Sequence, residues 1–252
     1  MRMIVLAAGQ GTRLRPLTDN IPKCMVPLEG KPLLERQLET ARSVGLTDLH
    51  VATGYREDVI TYEGVHKHFN PDFDTTNMVA TLFCAESIMD DVLIVSYGDI
   101  VFQPDVLQAL IASPAPVSVV VDREWQRYWS ARNDGNPLND AETMKLRPDG
   151  TIIELGKKPQ SLSDIEGQYI GLMKFSKDAL GKIREFYHGL DTDAVYDGKD
   201  YRNMYMTSFL QLIADRLMPL QAVFIENGWM EVDEPSDLEF ARFLFRSGVT
   251  TA

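Results

Sequence analysis

The segment LAAGQGTRLRPLTDNIPK, residues 6–23, joins an apolar strand to a glycine-rich loop, and this junction constrains the fold more than the rest of the chain does. Residues 3–6 have the composition of a short buried strand. Gly9 and Gly11 allow the chain to turn tightly after that strand, so that successive backbone amides point at phosphate oxygens. Such a junction predicts an α/β protein that binds a phosphorylated ligand where a parallel strand ends.

Two cations follow the loop. Arg13 and Lys23 supply positive charge that backbone amides cannot. Pro16 and Pro22 stiffen the segment between them, which lowers the entropy cost of presenting both cations to one polyphosphate. The pattern predicts a preorganised site for a nucleoside triphosphate, with Arg13 and Lys23 as catalytic cations. The predicted nucleotide-binding residues are Leu6, Ala7, Ala8, Gly9, Gly11, Thr12 and Gly98.

Two commoner phosphate-binding motifs do not fit this loop. A P-loop requires Lys-Ser or Lys-Thr directly after its last glycine, but Gly11 is followed by Thr12 and Arg13. A dinucleotide fingerprint requires a third glycine, and that position is Leu14. The remaining alternative is an ordinary strand-to-helix turn with a surface arginine. The two cations and two prolines together favour the nucleotide site over that alternative.

Apolar runs suited to buried parallel strands alternate with helical patterning along the chain. The runs are residues 48–53, 92–97 and 117–121, and the helical pattern is clear over residues 33–44. Alternation of this kind builds βαβ units, so the sequence predicts one α/β domain over residues 1–252, a mostly parallel, twisted, Rossmann-like sheet flanked by helices. Asp99, which follows one of the runs, would lie near the nucleotide loop at the carboxyl edge of the sheet.

The composition shifts to Trp, Arg, Asn, Gly and Asp between residues 123 and 139. We interpret residues 123–160 as a small lid-like insertion that ends in a hairpin, residues 143–147 and 152–155, with Asp149-Gly150 at its turn. The remaining pattern predicts strands at residues 169–175 and 220–225 and helices at residues 177–187, residues 207–217 and from Pro235 onward.

The charge balance restricts the partners. A net charge of -12 and a pI near 4.8 argue against nucleic acid or an anionic membrane, because either polyanion would be repelled. An anionic substrate must instead find a local basic pocket. Candidates for that pocket are Arg13, Lys23, Lys145, Lys157 and Lys158.

The cysteine count and the N-terminus predict the compartment. Cys24 and Cys84 are too few for a disulfide framework, which indicates a reducing environment. The chain begins with a short apolar strand and lacks a long hydrophobic segment, so we expect a cytoplasmic protein with no membrane association. The oligomeric state stays open, and a homodimer is compatible with the sequence.

The loop resembles a known signature, G-x-G-T-R-L-x-P-x-T followed by P-K, of the nucleotidyltransferase superfamily that includes the sugar-phosphate enzymes. The resemblance covers almost the whole chain and continues through VPLEGKPLLERQLE, SYGDIVF and WMEVDEPSDLEFA, residues 26–39, 96–102 and 229–241. The segments TTNMVATLFCAE, DAETMKL, ELGKKP and GQYIGLMKF resemble the bacterial cytidylyltransferases for phosphocholine and for phosphonates such as 2-aminoethylphosphonate. The resemblance implies the nucleotidyltransferase fold and activity.

The resemblance also implies a Mg²⁺ site. It assigns metal binding to Asp99 and Asp233, with Glu231 as an auxiliary ligand. Glu231 and Asp233 alternate along a predicted strand and should face the same side of the sheet. The alternative for Asp233 is an N-cap of the helix that begins at Pro235.

The acceptor site is predicted from several weaker signals. Lys158, in G-K-K-P, resembles the lysine that holds the acceptor's phosphate in related enzymes, although a solvated loop lysine is equally compatible with the pattern. Lys145 alternates with apolar neighbours and is a second candidate. Residues 187–208 combine tyrosines with aspartates, which suits a cationic head group, and we select Tyr205 and Trp129 as aromatic contacts. For each single ring, packing within a loop or an interface is the competing interpretation.

These observations predict a magnesium-dependent cytidylyltransferase. It would transfer CMP from CTP to a small zwitterionic phosphate or phosphonate, of the phosphocholine or 2-aminoethylphosphonate type, and release pyrophosphate. The preference for CTP rests on the resemblance. One alternative is a sugar-1-phosphate nucleotidyltransferase, against which the acidic tyrosine-rich segment argues. The other is a nucleotide-binding module without catalysis, which does not require both metal carboxylates.

Overall fold

The computed structural model describes residues 1–132 and 135–246. Its centre is a seven-stranded sheet, with three two-stranded pairs beside it. The strands are β1 Arg2–Ala7, β2 Pro27–Leu28, β3 Lys31–Pro32, β4 Leu49–Thr53, β5 Val65–Phe69, β6 Leu93–Tyr97, β7 Ile100–Phe102, β8 Val117–Asp122, β9 Met144–Leu146, β10 Ile152–Leu155, β11 Gln168–Phe175, β12 Gln221–Ile225 and β13 Trp229–Glu231. The helices are α1 Leu33–Ser43, α2 Met78–Phe83, α3 Pro104–Ala112, α4 Trp125–Arg132, α5 Lys177–His188, α6 Met206–Arg216 and α7 Pro235–Arg246.

The large sheet has the order β12-β8-β11-β6-β1-β4-β5. The strand β11 runs antiparallel to both of its neighbours, and the other pairings in this sheet are parallel. The predicted α/β class with a mostly parallel sheet is therefore confirmed. Because β1 and β6 are adjacent and parallel, the glycine-rich loop after Ala7 and the turn after Tyr97 lie at the same edge of the sheet.

The central strands are buried on both faces, which is why they read as continuous apolar runs. In β1, Met3 and Val5 pack into one core, whereas Ile4 and Leu6 pack into the other. Residues of α1, α3 and α7 belong to the first core, and residues of α2, α5 and α6 belong to the second. The two layers of helices hold the sheet rigidly, so the loops at its carboxyl edge extend from a fixed base.

Most predicted elements have the expected positions. The strand predicted to carry both Glu231 and Asp233 ends at Glu231, so Asp233 lies beyond it. The edge strand β5, with the sequence VHKHF, is absent from the predicted set because its polar residues hide the strand pattern. The segment that begins at residue 123 contains the helix α4, whose aromatic side chains Trp125, Tyr128 and Trp129 are buried. Part of the predicted insertion, residues 133–134, lies outside the described residues.

Two expectations drawn from the composition can be compared with the structure. Among the helices in the described ranges, none is both long and apolar enough to cross a membrane. Cys24 and Cys84 are free thiols, Cys24 buried and Cys84 exposed, which agrees with the expected lack of a disulfide framework.

Candidate active site

The glycine-rich loop is held in position by close backbone packing. Gly11 has a φ of 71°, and a Cβ atom there would lie 2.8 Å from Cβ of Lys23. Thr18 Oγ1 donates a hydrogen bond of 2.7 Å to the Gly11 carbonyl. At the neighbouring turn, a Cβ on Gly98 would lie 2.6 Å from the Leu6 carbonyl oxygen. Side chains at either glycine would therefore displace the loop or Lys23.

A cavity of about 300 Å³ opens directly beside this loop. The residues on its wall include all those predicted to bind the nucleotide, namely Leu6, Ala7, Ala8, Gly9, Gly11, Thr12 and Gly98. Arg13, Lys23, Asp99 and Asp233 also line it. The predicted residues thus surround one cavity, called the nucleotide cavity after that prediction, because the carboxyl ends of β1 and β6 bring these short segments together.

One wall of this cavity was not expected from the sequence. It is formed by Phe73, Thr76, Asn77, Met78 and Thr81. Asn77 caps α2, since its side-chain oxygen accepts a hydrogen bond of 2.8 Å from the Met78 amide. The segment TTNM could have been identified as a cavity wall only by knowing that α2 packs beside β1 and β4.

Lys23 lies between the predicted metal carboxylates. Its ammonium donates a hydrogen bond of 2.6 Å to Asp99 and a shorter one to Asp233. The second oxygen of Asp233 forms an ion pair with Arg13. Both cations and both aspartates that the sequence singled out are therefore in direct contact.

The start of α7 is capped by a residue other than Asp233. The amides of Asp233 and Glu234 each donate a hydrogen bond of 2.9 Å to Asp237 Oδ2. Asp237 therefore supplies the capping carboxylate. The side chain of Asp233 is instead directed at Lys23 and Arg13, which is the orientation that a role in the cavity requires.

The three carboxylates meet the requirements of a cation site. One oxygen from each of Asp99, Glu231 and Asp233 lies within 4.8 Å of the others. The Oδ1 atom of Asp99 is buried and has no hydrogen-bond partner in the described part of the chain. A buried, unsatisfied carboxylate oxygen is costly unless a ligand or ion completes it, and Mg²⁺ prefers such oxygen ligands. The donor set thus fits a magnesium ion.

The electrostatics of the site reflect this crowding of acids. Burial disfavours the ammonium of Lys23, but Asp99 and Asp233 outweigh burial and raise its pKa above the ordinary value. Burial raises the pKa of Glu231 to about 8, and Asp99 adds to that rise while Arg132 opposes it. Burial and the neighbouring carboxylates therefore disfavour the ionised form of Glu231.

Arg132, at the end of α4, is a residue that the sequence analysis missed. Its guanidinium donates two hydrogen bonds to Asp237, of 2.9 and 3.0 Å, and one of 2.9 Å to Glu231. Only 4% of its side chain is exposed. By binding both acids, Arg132 holds Glu231 against the site and fixes the cap of α7. No local motif marks it, because its partners are about a hundred residues away.

A second cavity, of about 190 Å³, adjoins the first. Arg13, Met78, Tyr97 and Asp233 line both cavities. The walls of the second also contain Tyr205 and Trp129, the two aromatic residues predicted to contact an acceptor. A ligand in the nucleotide cavity and a ligand in this second cavity would therefore meet beside Arg13 and Asp233.

The predicted acceptor lysines lie outside the lining of both cavities. Lys145 forms ion pairs with Glu154 and Asp164, at 3.6 and 3.5 Å. Lys158 donates hydrogen bonds of 2.7 and 3.1 Å to the carbonyls of Leu138 and Asn139. Lys145 lies on β9, which pairs with β10 and not with a strand of the large sheet. Its side chain is therefore exposed on the hairpin. Their binding roles stay predictions.

The tyrosine-rich segment divides between packing and the cavity. Tyr187 stacks on Phe83 with ring centroids 3.7 Å apart, and Tyr201 stacks on Tyr187 at 4.8 Å. Tyr196 is buried in the same core. Tyr205 lines the second cavity. The competing interpretation, packing, thus describes three of these four tyrosines.

Glu142 is a further acidic residue of the second cavity that the sequence analysis did not select. Burial raises its pKa to about 7, and the adjacent Asp140 adds to the rise. A carboxyl group whose pKa is higher in the folded state than its ordinary value of 4.5 destabilises the fold once it ionises. The penalty is absent near pH 4, grows as the pH rises, and is complete above about pH 7.

Replacement of Glu142 by glutamine is therefore expected to stabilise the protein at pH 8 by about 1–3 kcal/mol and to have little effect at pH 5. Urea unfolding of the wild type and of E142Q at both pH values measures this difference. The matched control is E166Q, which changes an exposed glutamate of the same region. An equal change in both variants, or a gain larger at pH 5 than at pH 8, contradicts the assignment.

The sheet, the glycine-rich loop and the adjoining cavities define a nucleotidyltransferase. The family model of the MobA-like NTP transferase domain matches residues 3–193, and the chain belongs to this family. It is 44% identical over 250 residues to a CTP:phosphoglutamine cytidylyltransferase of Campylobacter jejuni, across 95% of this chain and 98% of that protein.

Two further comparisons extend this result. A CMP-5'-(3-aminopropyl)phosphonate synthase of Streptomyces rubellomurinus is 32% identical over 131 residues, which is 49% of this chain and 21% of that longer protein. The structure of the CTP:phosphocholine cytidylyltransferase of Streptococcus pneumoniae superposes with a TM-score of 0.71 at 21% identity, across 97% of this chain and 98% of that one. The structural match supports the fold, and the family resemblance stated from the sequence is confirmed.

Proposed function

We propose that the protein is a magnesium-dependent cytidylyltransferase that transfers CMP from CTP to a small zwitterionic phosphate or phosphonate and releases pyrophosphate. The observation that carries this proposal is the pair of adjoining cavities that share Arg13 and Asp233. The relative that is 44% identical across nearly its whole length is named for CTP, which supports cytidine as the base. We place phosphoglutamine first among the acceptors for the same reason, ahead of phosphocholine and aminoalkylphosphonates.

The reaction needs positioning and neutralisation more than a base. An oxygen of the acceptor's phosphoryl group attacks the α-phosphorus of CTP, and the bond from that phosphorus to the pyrophosphate oxygen breaks. The attacking group is already largely dianionic near neutral pH, since its second pKa is about 6. No side chain has to remove a proton from it. The main barrier is the approach of two polyanions.

Positively charged residues of the site would lower that repulsion. Arg13 and Lys23 line the nucleotide cavity and supply positive charge to the triphosphate and to the departing pyrophosphate. Asp99 and Asp233, with Glu231, would hold a magnesium ion, whose positive charge would lower the mutual repulsion of the two phosphorylated substrates. The loop amides of Gly9 and Gly11 would contact phosphate oxygens beside the same cations.

The second cavity favours an acceptor with a positively charged group. Asp140, Glu142, Glu231 and Asp233 line it. A hydroxylated sugar would be matched better by neutral amide and backbone groups, so these carboxylates disfavour a sugar-1-phosphate acceptor. The presence of both predicted metal aspartates beside the nucleotide cavity disfavours a module that only binds nucleotide.

The proposal is tested by measuring pyrophosphate release with magnesium and each of four nucleoside triphosphates. The acceptors are phosphoglutamine, phosphocholine, 2-aminoethylphosphonate and glucose-1-phosphate. We expect release only with CTP and an acceptor that contains nitrogen, and we expect EDTA to abolish it. Release confined to glucose-1-phosphate, release without an acceptor, or activity in EDTA contradicts the proposal.

A further inference from the structure

One wall of the second cavity carries polar groups that accept hydrogen bonds and have no partners. Within residues 1–132 and 135–246, the Glu142 carboxylate forms no ion pair, and burial and the charge of Asp140 both disfavour its ionised form. Gln168, at the start of β11, is 4% exposed, and its Oε1 atom is buried without a hydrogen-bond partner. Both residues line the same cavity. A stable protein retains such groups at a cost in stability, which indicates a ligand that completes them.

The charge of the cavity defines the kind of group that fits there. Arg13 is the one cation among its described lining residues, and it is paired with Asp233 at the boundary with the nucleotide cavity. Positive charge is thus concentrated where phosphates would meet, and negative charge lies elsewhere on the wall, at Asp140 and Glu142. An acceptor would bind with its phosphoryl group near Arg13 and a cationic group near Glu142.

Aromatic rings alone do not decide which cation binds. Tyr97, Tyr169 and Trp129 line the cavity, and their faces attract any ammonium group, methylated or not. The carboxamide oxygen of Gln168 and the carboxylate of Glu142 distinguish further between cations, because both need N–H groups that donate hydrogen bonds. A primary ammonium has three such donors, whereas a trimethylammonium has none. Filling the cavity with methyl groups would leave Gln168 and Glu142 desolvated and unpaired.

We propose that Glu142 and Gln168 form the subsite that selects acceptors carrying a primary ammonium over acceptors carrying a trimethylammonium. The inference rests on the proposed function, since it concerns the acceptor of that reaction. It assigns to these residues a specificity that the sequence motifs did not assign to them. It also orders the candidate acceptors, with phosphoglutamine and aminoalkylphosphonates ahead of phosphocholine.

The test uses phosphoethanolamine and phosphocholine, which differ only by three methyl groups. The ratio of their kcat/KM values for pyrophosphate release from CTP measures the selection. We expect the wild type to favour phosphoethanolamine by about tenfold or more. In E142Q and Q168L, kcat/KM for phosphoethanolamine should fall by about 10- to 100-fold and the value for phosphocholine should fall much less, so that the preference is lost. The KM for CTP should stay unchanged in both variants.

The exposed-site variant E166Q is the control and should keep the wild-type ratio. A wild type that prefers phosphocholine, or an unchanged ratio in both E142Q and Q168L, overturns the inference while leaving cytidylyl transfer intact. Binding is measured in parallel by quenching of tryptophan fluorescence, because Trp129 and Trp229 line the cavity. If no acceptor supports turnover, the proposed function fails, and the inference then stands only if phosphoethanolamine binds more tightly than phosphocholine and E142Q removes that difference.

Discussion

Replacement of Asp99 by asparagine is expected to lower the rate of pyrophosphate release from CTP by about a thousandfold. Asp99 is the carboxylate whose Oδ2 binds Lys23 at 2.6 Å and whose Oδ1 is buried without a partner. An amide of the same shape has no charge to hold a divalent cation, and it also weakens the hold on the Lys23 ammonium. The loss should appear in kcat more than in the KM for the acceptor, since Asp99 lines the nucleotide cavity and is absent from the lining of the second cavity.

The control for this variant is D48N. Asp48 lies just before β4, at the opposite edge of the sheet, where it binds Arg2 and His50. Circular dichroism and unfolding curves establish that both variants are folded, and activity is then compared across a range of magnesium concentrations. If D99N turns over as fast as D48N at every concentration, Asp99 is not a metal ligand.

Replacement of Arg132 by methionine is expected to destabilise the protein by about 3–5 kcal/mol. The change leaves Asp237 and Glu231 buried without their guanidinium partner. Glu231 also lies near Asp99 and Asp233, and Arg132 would no longer oppose their repulsion of its carboxylate. The same change releases Glu231, and activity should fall even at temperatures where the variant is folded.

Urea unfolding measures the stability of R132M against R127M. Arg127 lies on the same helix with an exposed side chain, so its replacement alters charge and helix propensity similarly but breaks no buried pair. We expect R127M to change the free energy of unfolding by less than about 0.5 kcal/mol. Equal losses in the two variants would show that Arg132 contributes only through its position on the helix.

The fold was predictable because its signals are local and repeated. The strands β1, β6 and β8 are mostly apolar, α1 shows the helical period, and the loop after β1 combines two glycines with two cations. The meeting of these segments around one cavity followed from the same signals, since adjacent parallel strands end at the same edge. The edge strand β5 escaped detection because three of its five residues are polar, as an edge strand permits.

The residues that escaped prediction act through distant partners. Arg132 meets its acidic partners because α4 packs against α7, and no local sequence pattern predicts that contact. Glu142 also escaped prediction, because only the folded structure shows that it is buried beside Asp140 in a cavity. Lys145 shows the converse, since its alternation on a strand was correct but the strand belongs to a separate hairpin where two acids pair with it. Periodicity and short motifs can be identified in the sequence, whereas the partner of each buried charge is known only from the folded structure.

The central claim is that the α-phosphorus of CTP becomes bonded to the acceptor's phosphoryl oxygen. Phosphorus-31 NMR of a reaction with CTP, magnesium and phosphoglutamine tests it most directly. We predict the appearance of pyrophosphate together with a pair of mutually coupled resonances from the two linked phosphorus atoms of a new CMP conjugate, in equal amounts. Formation of CMP and pyrophosphate with the acceptor resonance unchanged would show hydrolysis instead of transfer and would contradict the account.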